Sequence, residues 1–427
     1  MSIDYSMVEI FTDEEARYHN KPLYKAVVSN VKKMKIAARC IVMKGLEACY
    51  ENGEIATQDI LIISYKMPVT IQLLLPTSEL NRVLPMIEEM VSDGIVAVHK
   101  LDIYCHKIRK YLIPKYIRVL DIMTPSPETV TAFTPLSDVV KLLLSSVFTG
   151  VPVVDPDGHP IGVISQSDLL YRANLPMRLG ILAEFDKDKF NEFLNTLALR
   201  KAEEIMTRPA VTIKEDEMLA KAVSVMIENE VKRLVVVDPS EQIAGILSRE
   251  DILHGIAKES PDWNAFREKK IVLSNLQFVS DIMRRDTLSV LPDTSVEDIL
   301  QLIDTNDLQY IVVVGNDGRF EGLIFDRDLL SIFSDHKLSA WEYLSSKISF
   351  SGKGLRYKGF IEKLQKKKAV EVMQTDLVTI LEGTDIDEAI ALMVTKKIKQ
   401  MPVLDENGKF KGLIDRESLL RAALKKS

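Results

Sequence analysis

Four segments of this chain align on one another without a gap, and that repetition limits the fold more than any other feature. Each opens with an acidic residue, an aliphatic one and methionine: Asp121-Ile122-Met123, Glu204-Ile205-Met206, Asp281-Ile282-Met283 and Glu371-Val372-Met373. Six residues beyond each Met stands Thr129, Thr212, Ser289 or Thr379, followed by Val130, Ile213, Val290 or Ile380. Apolar runs follow at 151–155, 234–238, 311–315 and 401–405. Then comes a glycine (Gly162, Gly245, Gly322, Gly412), always 39 residues beyond its Met. One spacing kept four times across unlike sequence marks a single structural unit used four times.

The local pattern gives the unit its shape. The Thr-Val piece reads as a short strand. The stretches 137–144, 218–227, 296–304 and 387–396 carry apolar residues at helical spacing. Two apolar strands follow, separated by polar turns such as Pro156-Asp157-Gly158 and Glu406-Asn407-Gly408. A closing helix is expected to begin near Ser167, Glu250, Arg327 or Glu417. One such unit leaves a sheet face uncovered, so the copies are expected to associate in pairs.

Composition removes several functional classes. A net charge of −7, with 55 Lys and Arg against 62 Asp and Glu and no long basic block, does not suit binding to a phosphate backbone. No apolar run approaches the ~20 residues that cross a bilayer, so no membrane insertion is expected. The first twenty residues are acidic where a signal peptide would be basic and then apolar. Cys40, Cys49 and Cys105 have no paired spacing and read as free thiols, pointing to the cytoplasm. The six histidines show no metal-ligand spacing, so no metal site is expected. Cys105-His106 would point to opposite faces of a strand and cannot easily act as nucleophile and base. No segment is left for a catalytic domain, so no catalytic residues and no enzyme are expected.

The repeats resemble the CBS domain family over roughly residues 115–425. The resemblance implies that consecutive repeats pack into a Bateman module, giving two modules. The boundaries read as 119–255 for the first pair (repeats 119–172 and 202–255) and 278–425 for the second (repeats 278–331 and 369–425). Linkers are expected at 108–118 and 256–277, the latter containing Ser260-Pro261-Asp262.

The informative polar positions lie in the turn after each late glycine. The first repeat reads Ser165-Gln166-Ser167-Asp168 and the second Ser248-Arg249-Glu250-Asp251. A hydroxyl and a carboxylate three residues apart at a helix start can form a capping box. They can also face one ligand, the carboxylate accepting from vicinal ribose hydroxyls while helix N–H groups favour phosphate. In CBS domains this motif is the ribose and phosphate site, so the resemblance gives that role to Ser165, Asp168, Ser248 and Asp251. Arg233 and Arg249 could pair with phosphate oxygens or be solvated surface arginines. Thr129-Val130 and Thr212-Ile213 would wall an adenine slot, and would equally be core strand residues without one. The third repeat keeps Asp328 but has Phe325 for the hydroxyl. The fourth exchanges the groups, with Asp415 and Ser418, placing an acid where phosphate would sit. The first pair is therefore expected to be the main sensor. That reading needs the carboxylates at 168 and 251 turned to grooves between paired repeats rather than neutralised by Lys or Arg.

Residues 1–107 read as strand, helix, strand, loop, strand, helix, strand: a ferredoxin-like βαββαβ order, with a strand expected at Asp59–Ser64. The whole chain is thus α/β, of the α+β kind. From Lys21-Pro22-Leu23-Tyr24, Val42–Glu47, Ile63–Ile71 and the stretch from Ser92 to Val98, this segment resembles an uncharacterised family of PII-like proteins. That resemblance implies a homo-oligomeric, trimeric head whose mobile loop, here 47–58, touches partners; the CBS modules could add dimeric contacts. The combined expectation is a regulatory protein sensing an adenosine-containing ligand (AMP, ADP, ATP or a related compound, with or without Mg) and signalling to a transporter, channel or metabolic enzyme. No obligatory cofactor is expected. The competing expectation is an oligomerisation scaffold without a ligand.

Overall fold

The computed structural model describes residues 3–57, 66–145, 150–173, 191, 194–274, 278–305, 310–325 and 366–424. The chain divides into two compact units: Met1–Lys110 with Glu259–Leu276, and Tyr111–Lys258 with Gln277–Ser427.

The first unit is built on a four-stranded antiparallel sheet in the order Arg39–Lys44, Pro68–Pro76, Ile3–Asp13, Ile95–Ile103. With helices Leu23–Met34 and Leu80–Met90 between the strands, this is the expected βαββαβ arrangement. Alternation decides the faces. Val69, Ile71, Leu73 and Leu75 point inward with Val8 and Ile10, against Val27 and Val31 of one helix and Val83 and Ile87 of the other. On the opposite face the register lines up Met43, Thr70, Phe11 and Ile95 across all four strands, and Met43, Phe11 and Ile95 are exposed. Part of the 47–58 loop forms a hairpin of Glu47–Cys49 with Ile55–Thr57. The strand expected at Asp59–Ser64 lies outside the described residues.

The stretch 256–277, expected as a linker, carries more structure than that. Helix Trp263–Glu268 and strand Val272–Ser274 belong to the first unit, where the strand pairs in parallel with Lys107–Arg109. Trp263, Phe266, Ile271 and Leu273 form a small core with Ile108 and Ala37, and Lys110 lies 5.5 Å over the Trp263 ring. Elements of six and three residues are too short to show periodicity in a sequence.

In the second unit each repeat supplies a three-stranded sheet of one recurring form. Its short first strand lies parallel to the second, and the third is antiparallel to the second: Val130–Thr131, Gly150–Val154 and Pro160–Ser165 in the first repeat. The other three repeat this order, each with a register shift at the same point of the second strand. The helices fall where the periodicity places them: Leu136–Ser145, Leu219–Glu228, Val296–Thr305 and Ile386–Thr395. Closing helices occur at Gln166–Arg172, Arg249–Glu259 and Arg416–Leu424; the one expected near Arg327 lies outside the described residues.

The repeats exchange their opening segments. Thr124-Pro125 pairs with the third strand of repeat two, and Thr207 bridges to Val163 of repeat one. Arg284 bridges to Leu413 and Gln374 to Leu323 in the same reciprocal way, tying repeats three and four. Each methionine therefore crosses the glycine of its partner. A Cβ added to Gly245 would lie 2.6 Å from Met123 Sδ and 2.9 Å from Thr124 O; one on Gly412 would lie 2.5 Å from Arg284 O. Only glycine lets two backbones approach this closely.

Repeats one and three have cores of their own. Repeats two and four share one, from Ile213, Leu234 and Ile252 to Ile390 and Leu420, joined by Val279 of the opening segment of repeat three. Ile113 and Ile117, in the expected 108–118 linker, are buried in it as well. Each fully buried aliphatic side chain contributes about 1.5–3 kcal/mol, so this joint core makes the two pairs one body.

The crossing predicts a contrast between two glycines of the fourth repeat. Gly412→Ala meets backbone and should destabilise by about 1–3 kcal/mol, in the overpacking range. Gly383→Ala meets nothing within 4 Å and should leave the urea midpoint nearly unchanged. Equal midpoints for the two variants would contradict the crossing.

Candidate functional site

The sheet of repeat one ends at Ser165, where the chain turns into helix Gln166–Arg172. Ser165 is the N-cap: its N–H and Oγ both donate to Asp168 Oδ2, at 2.8 and 2.6 Å, and its Oγ accepts from Asp168 N at 3.4 Å. Ser248 and Asp251 reproduce the arrangement at 2.8, 2.6 and 3.2 Å. The capping box is thus real in both turns. It occupies one oxygen of each carboxylate and leaves Oδ1 directed elsewhere. On Asp168, Oδ1 accepts from Thr207 Oγ1 at 2.7 Å and lies 3.8 Å from Arg172 Nη1. Arg172 in turn donates to the carbonyls of Ile205 and Met206. The exchanged segment of repeat two is therefore fastened directly to the first turn.

Arg233 joins the two turns. It stands opposite Ser248 in the antiparallel register, as Gly150 stands opposite Ser165. A Cβ on Gly150 would overlap the Arg233 guanidinium, 2.8 Å from its Cζ, so the arginine reaches across from one turn to the other. Burial pushes the guanidinium pKa down to about 10, while the charges of Asp168 and Asp251 act to raise it. Both carboxylates thus act electrostatically on one arginine.

The other sequence candidates separate. Thr129 and Thr212 are exposed, whereas Val130 and Ile213 lie in the cores of their repeats. Arg249 points away from the turn: its Nη1 donates to Glu417 Oε2 at 2.7 Å and its Nη2 to the Val231 carbonyl. The reciprocal pair, Arg416 Nη1 to Glu250 Oε2 at 2.6 Å, completes a clasp between repeats two and four. Asp328 lies outside the described residues. In repeat four the exchanged pair still caps its helix, with Ser418 N donating to Asp415 Oδ1 at 2.8 Å, and Arg284 Nη1 lies 3.6 Å from Asp415 Oδ2. Phe325 joins Val312, Leu323, Leu413 and Phe410 in an apolar cluster between repeats three and four, where Phe320 and Phe410 stack at 6.1 Å. The first pair's row of Gly150, Ser165, Arg233 and Ser248 thus corresponds to Tyr310, Phe325, Gln400 and Asp415 in the second.

Gly150, Arg172 and Thr207 were missed from sequence. Thr207 had a signal: Met-Thr occurs in the first two repeats, Met-Arg and Met-Gln in the others. Asp155, Asp157 and His159 lie together in a hairpin turn. Asp155 Oδ1 accepts the N–H groups of Asp157 and His159 there, as Asp405 does in the matching turn of repeat four. Among the described residues no helix is long and apolar enough to cross a membrane.

Four interlocked repeats of one strand–helix form, with capped turns described at the sheet ends of repeats one, two and four, define a tandem-repeat protein of paired modules. The chain belongs to the CBS domain family, whose sequence profile matches residues 119–174, 202–258, 279–335 and 369–425. Residues 5–103 match a second profile, DUF190, described as Uncharacterized ACR. Protein MJ1225 of Methanocaldococcus jannaschii is 20% identical over 310 residues, covering 72% of this chain and 99% of that protein. Its crystal structure superposes with a TM-score of 0.48 at 20% identity over 71% of this chain and 99% of that one. Protein MJ1404 of the same organism is 26% identical over 299 residues, 67% of this chain and 62% of that protein's length. A crystal structure of CBSX2 in complex with AMP, a protein of Arabidopsis thaliana, matches 35% of this chain and 96% of its own at 26% identity, with a TM-score of 0.26.

The clasp has a pH signature. Burial raises the Glu417 carboxyl, but hydrogen bonds from Arg421 and Arg249 outweigh it and hold the group below its ordinary value. A carboxyl depressed by folding stabilises the protein above its unfolded-state pKa, and that contribution fades as pH falls through the folded-state value. Glu417→Gln should therefore lower the melting temperature at pH 7, and the gap to the unaltered chain should close on titration below about pH 4. A gap that stays constant with pH would contradict the ion pair's role.

Proposed function

We propose that this chain is a non-catalytic cytoplasmic regulatory protein whose first CBS pair senses an adenosine-containing ligand. The observation that carries the reading is the meeting of two Ser/Asp turns across one interlocked pair, with Arg233 spanning from one to the other. The capping box fixes Oδ2 of each carboxylate, so the other oxygen, Oδ1, is the acceptor a ribose hydroxyl would engage, in place of Thr207 at Asp168. Arg233 is the cation a phosphate would engage. Ligand binding would draw the two turns into a new relative position, and it can do so only by binding one arrangement more tightly than the other.

The second pair serves as structure. Aromatic and aliphatic side chains meet at the sheet ends where the first pair is polar. The N-terminal unit acts as an oligomeric, PII-like head. The apolar row Met43, Phe11 and Ile95 on its uncovered sheet face supports assembly, and its 47–58 hairpin would engage a target transporter, channel or metabolic enzyme. The second pair also favours the competing reading of a pure scaffold, in which neither pair answers to a ligand.

Calorimetric titration with AMP, ADP, ATP and S-adenosylmethionine, with and without Mg, separates the two readings. One of these compounds should bind. Asp168→Ala and Asp251→Ala should each weaken that compound by about tenfold or more, the value of a hydrogen bond to a charged group, whereas Ser418→Ala should not. A true ligand at a hundred times its Kd should add about 2.7 kcal/mol to stability. No binding and no rise in melting temperature with any of the four would leave the scaffold standing.

A further inference from the structure

The connection between the two pairs starts and ends in the second unit, yet Glu259–Leu276 belongs to the first. Its flanks are packed in the core that repeats two and four share. Ile252, Leu253 and Ile256 of helix Arg249–Glu259 precede it, and Val279 follows it. The separation of the flanks is therefore set by that core. Within the first unit the segment is held lightly. Among its described residues Phe266, Ile271 and Leu273 are the buried apolar ones, packed with Ala37 and Ile108. Val272 N–H donates to the His106 carbonyl at 3.0 Å, beside a three-residue parallel pairing with Lys107–Arg109. Lys269 pairs with Glu79, whose other oxygen accepts from Arg82 at 2.9 Å. Trp263 sets its ring edge-on to Phe266 at 5.4 Å, and its buried indole N–H meets no acceptor among the described residues. That group gains a water partner when the segment leaves its seat.

Three large apolar side chains do not by themselves offset the entropy of ordering residues 259–276. Docking also needs both ends held at a suitable separation, which keeps the segment concentrated at its seat. We propose that residues 259–276 are a clip thrown from the CBS body into the first unit, poised to undock, whose seating depends on the spacing between the closing helix of repeat two and the opening segment of repeat three. Undocking uncovers Ala37 and Ile108 and frees the strand Lys107–Arg109. A shift between repeats two and four thus becomes a change in the first unit, carried by the chain itself. The inference goes beyond the ligand reading and stands or falls apart from it.

Hydrogen exchange of the full chain, read by mass spectrometry with circular dichroism to confirm folding, tests the clip. Peptides covering 263–274 and 107–109 should exchange together, about tenfold or more faster than strands Ile3–Asp13 and Pro68–Pro76. Phe266→Ala should speed both by a further factor of about ten or more and leave those strands unchanged. Glu417→Gln, or Arg249→Lys should the first fail to fold, loosens the ion pairs between repeats two and four. Either should speed exchange at 263–274 by about fivefold or more, and a Gly-Ser spacer inserted after Leu276 should abolish that effect. Equal protection of clip and strands, or opening of the whole first unit by Phe266→Ala, makes the segment ordinary core and overturns the clip. Unchanged exchange at 263–274 in the folded ion-pair variant, or the same acceleration with the spacer in place, overturns its dependence on the flanks.

Discussion

The close crossing of each repeat's opening segment over a glycine of its partner is the contact on which the rest of the second unit depends. Met123 lies on Gly245 and Met206 on Gly162; Met283 lies on Gly412 and Met373 on Gly322. Because the exchange is mutual, neither member of a pair has a complete fold without the other. The hydrogen bonds that fasten it are backbone ones, Val163 to Thr207 and Leu413 to Arg284 in both directions. Backbone pairing sets position without regard to side chains, which is how four unlike sequences keep one geometry. The same crossing brings Thr207 to Asp168, so the element that interlocks the pair also orients a carboxylate of the candidate site.

A duplicated unit places its copies in matching positions, and the two pairs differ in what they carry there. In the first pair the sheet ends carry two serines, a glycine and an arginine. In the second they carry tyrosine, phenylalanine, glutamine and an aspartate whose charge Arg284 offsets. Polar groups at such a junction must be hydrogen-bonded or solvated, and the serines satisfy this by capping the helices that follow. The aromatic junction has no such demand and packs as a small core. The fold tolerates both because its stability comes from the inner faces, where Leu234 and Val236 of repeat two match Ile311 and Val313 of repeat three as buried core positions.

The repeats, their helices and the βαββαβ order of the head were legible because each rests on periodicity or fixed spacing, and both survive in a single sequence. The exchange of opening segments was not. A Met–Gly distance of 39 residues looks the same whether the two meet within a repeat or across a pair, since every repeat gives and receives alike. Ser165 and Asp168 could be singled out, but the sequence could not decide between cap and ligand contact, and the structure shows the cap in place. Gly150 carried no local signal, because its meaning appears only when its strand is set beside that of Arg233. Arg249 misled for a related reason. It sits inside the turn motif, but a helix's first residue can face either way, and an acidic partner 168 positions later settled the direction.

That direction has a mechanical consequence. Ser248 and Asp251 form one capped turn, and the two residues between them, Arg249 and Glu250, bind Glu417 and Arg416. Those two lie in turn between Asp415 and Ser418, which cap the matching helix of repeat four. Four consecutive residues therefore present one pair of side chains toward the junction of the first two repeats and the other pair toward the second module. With Arg249 only 11% exposed and the joint core of repeats two and four beneath, the ion pairs are partly shielded from water and resist rearrangement more than surface pairs do. A backbone shift that re-aims Ser248 and Asp251 must strain or move this clasp. The fourth repeat, whose turn carries the Asp and Ser in exchanged positions, is thereby linked directly to any shift of the turn in the second.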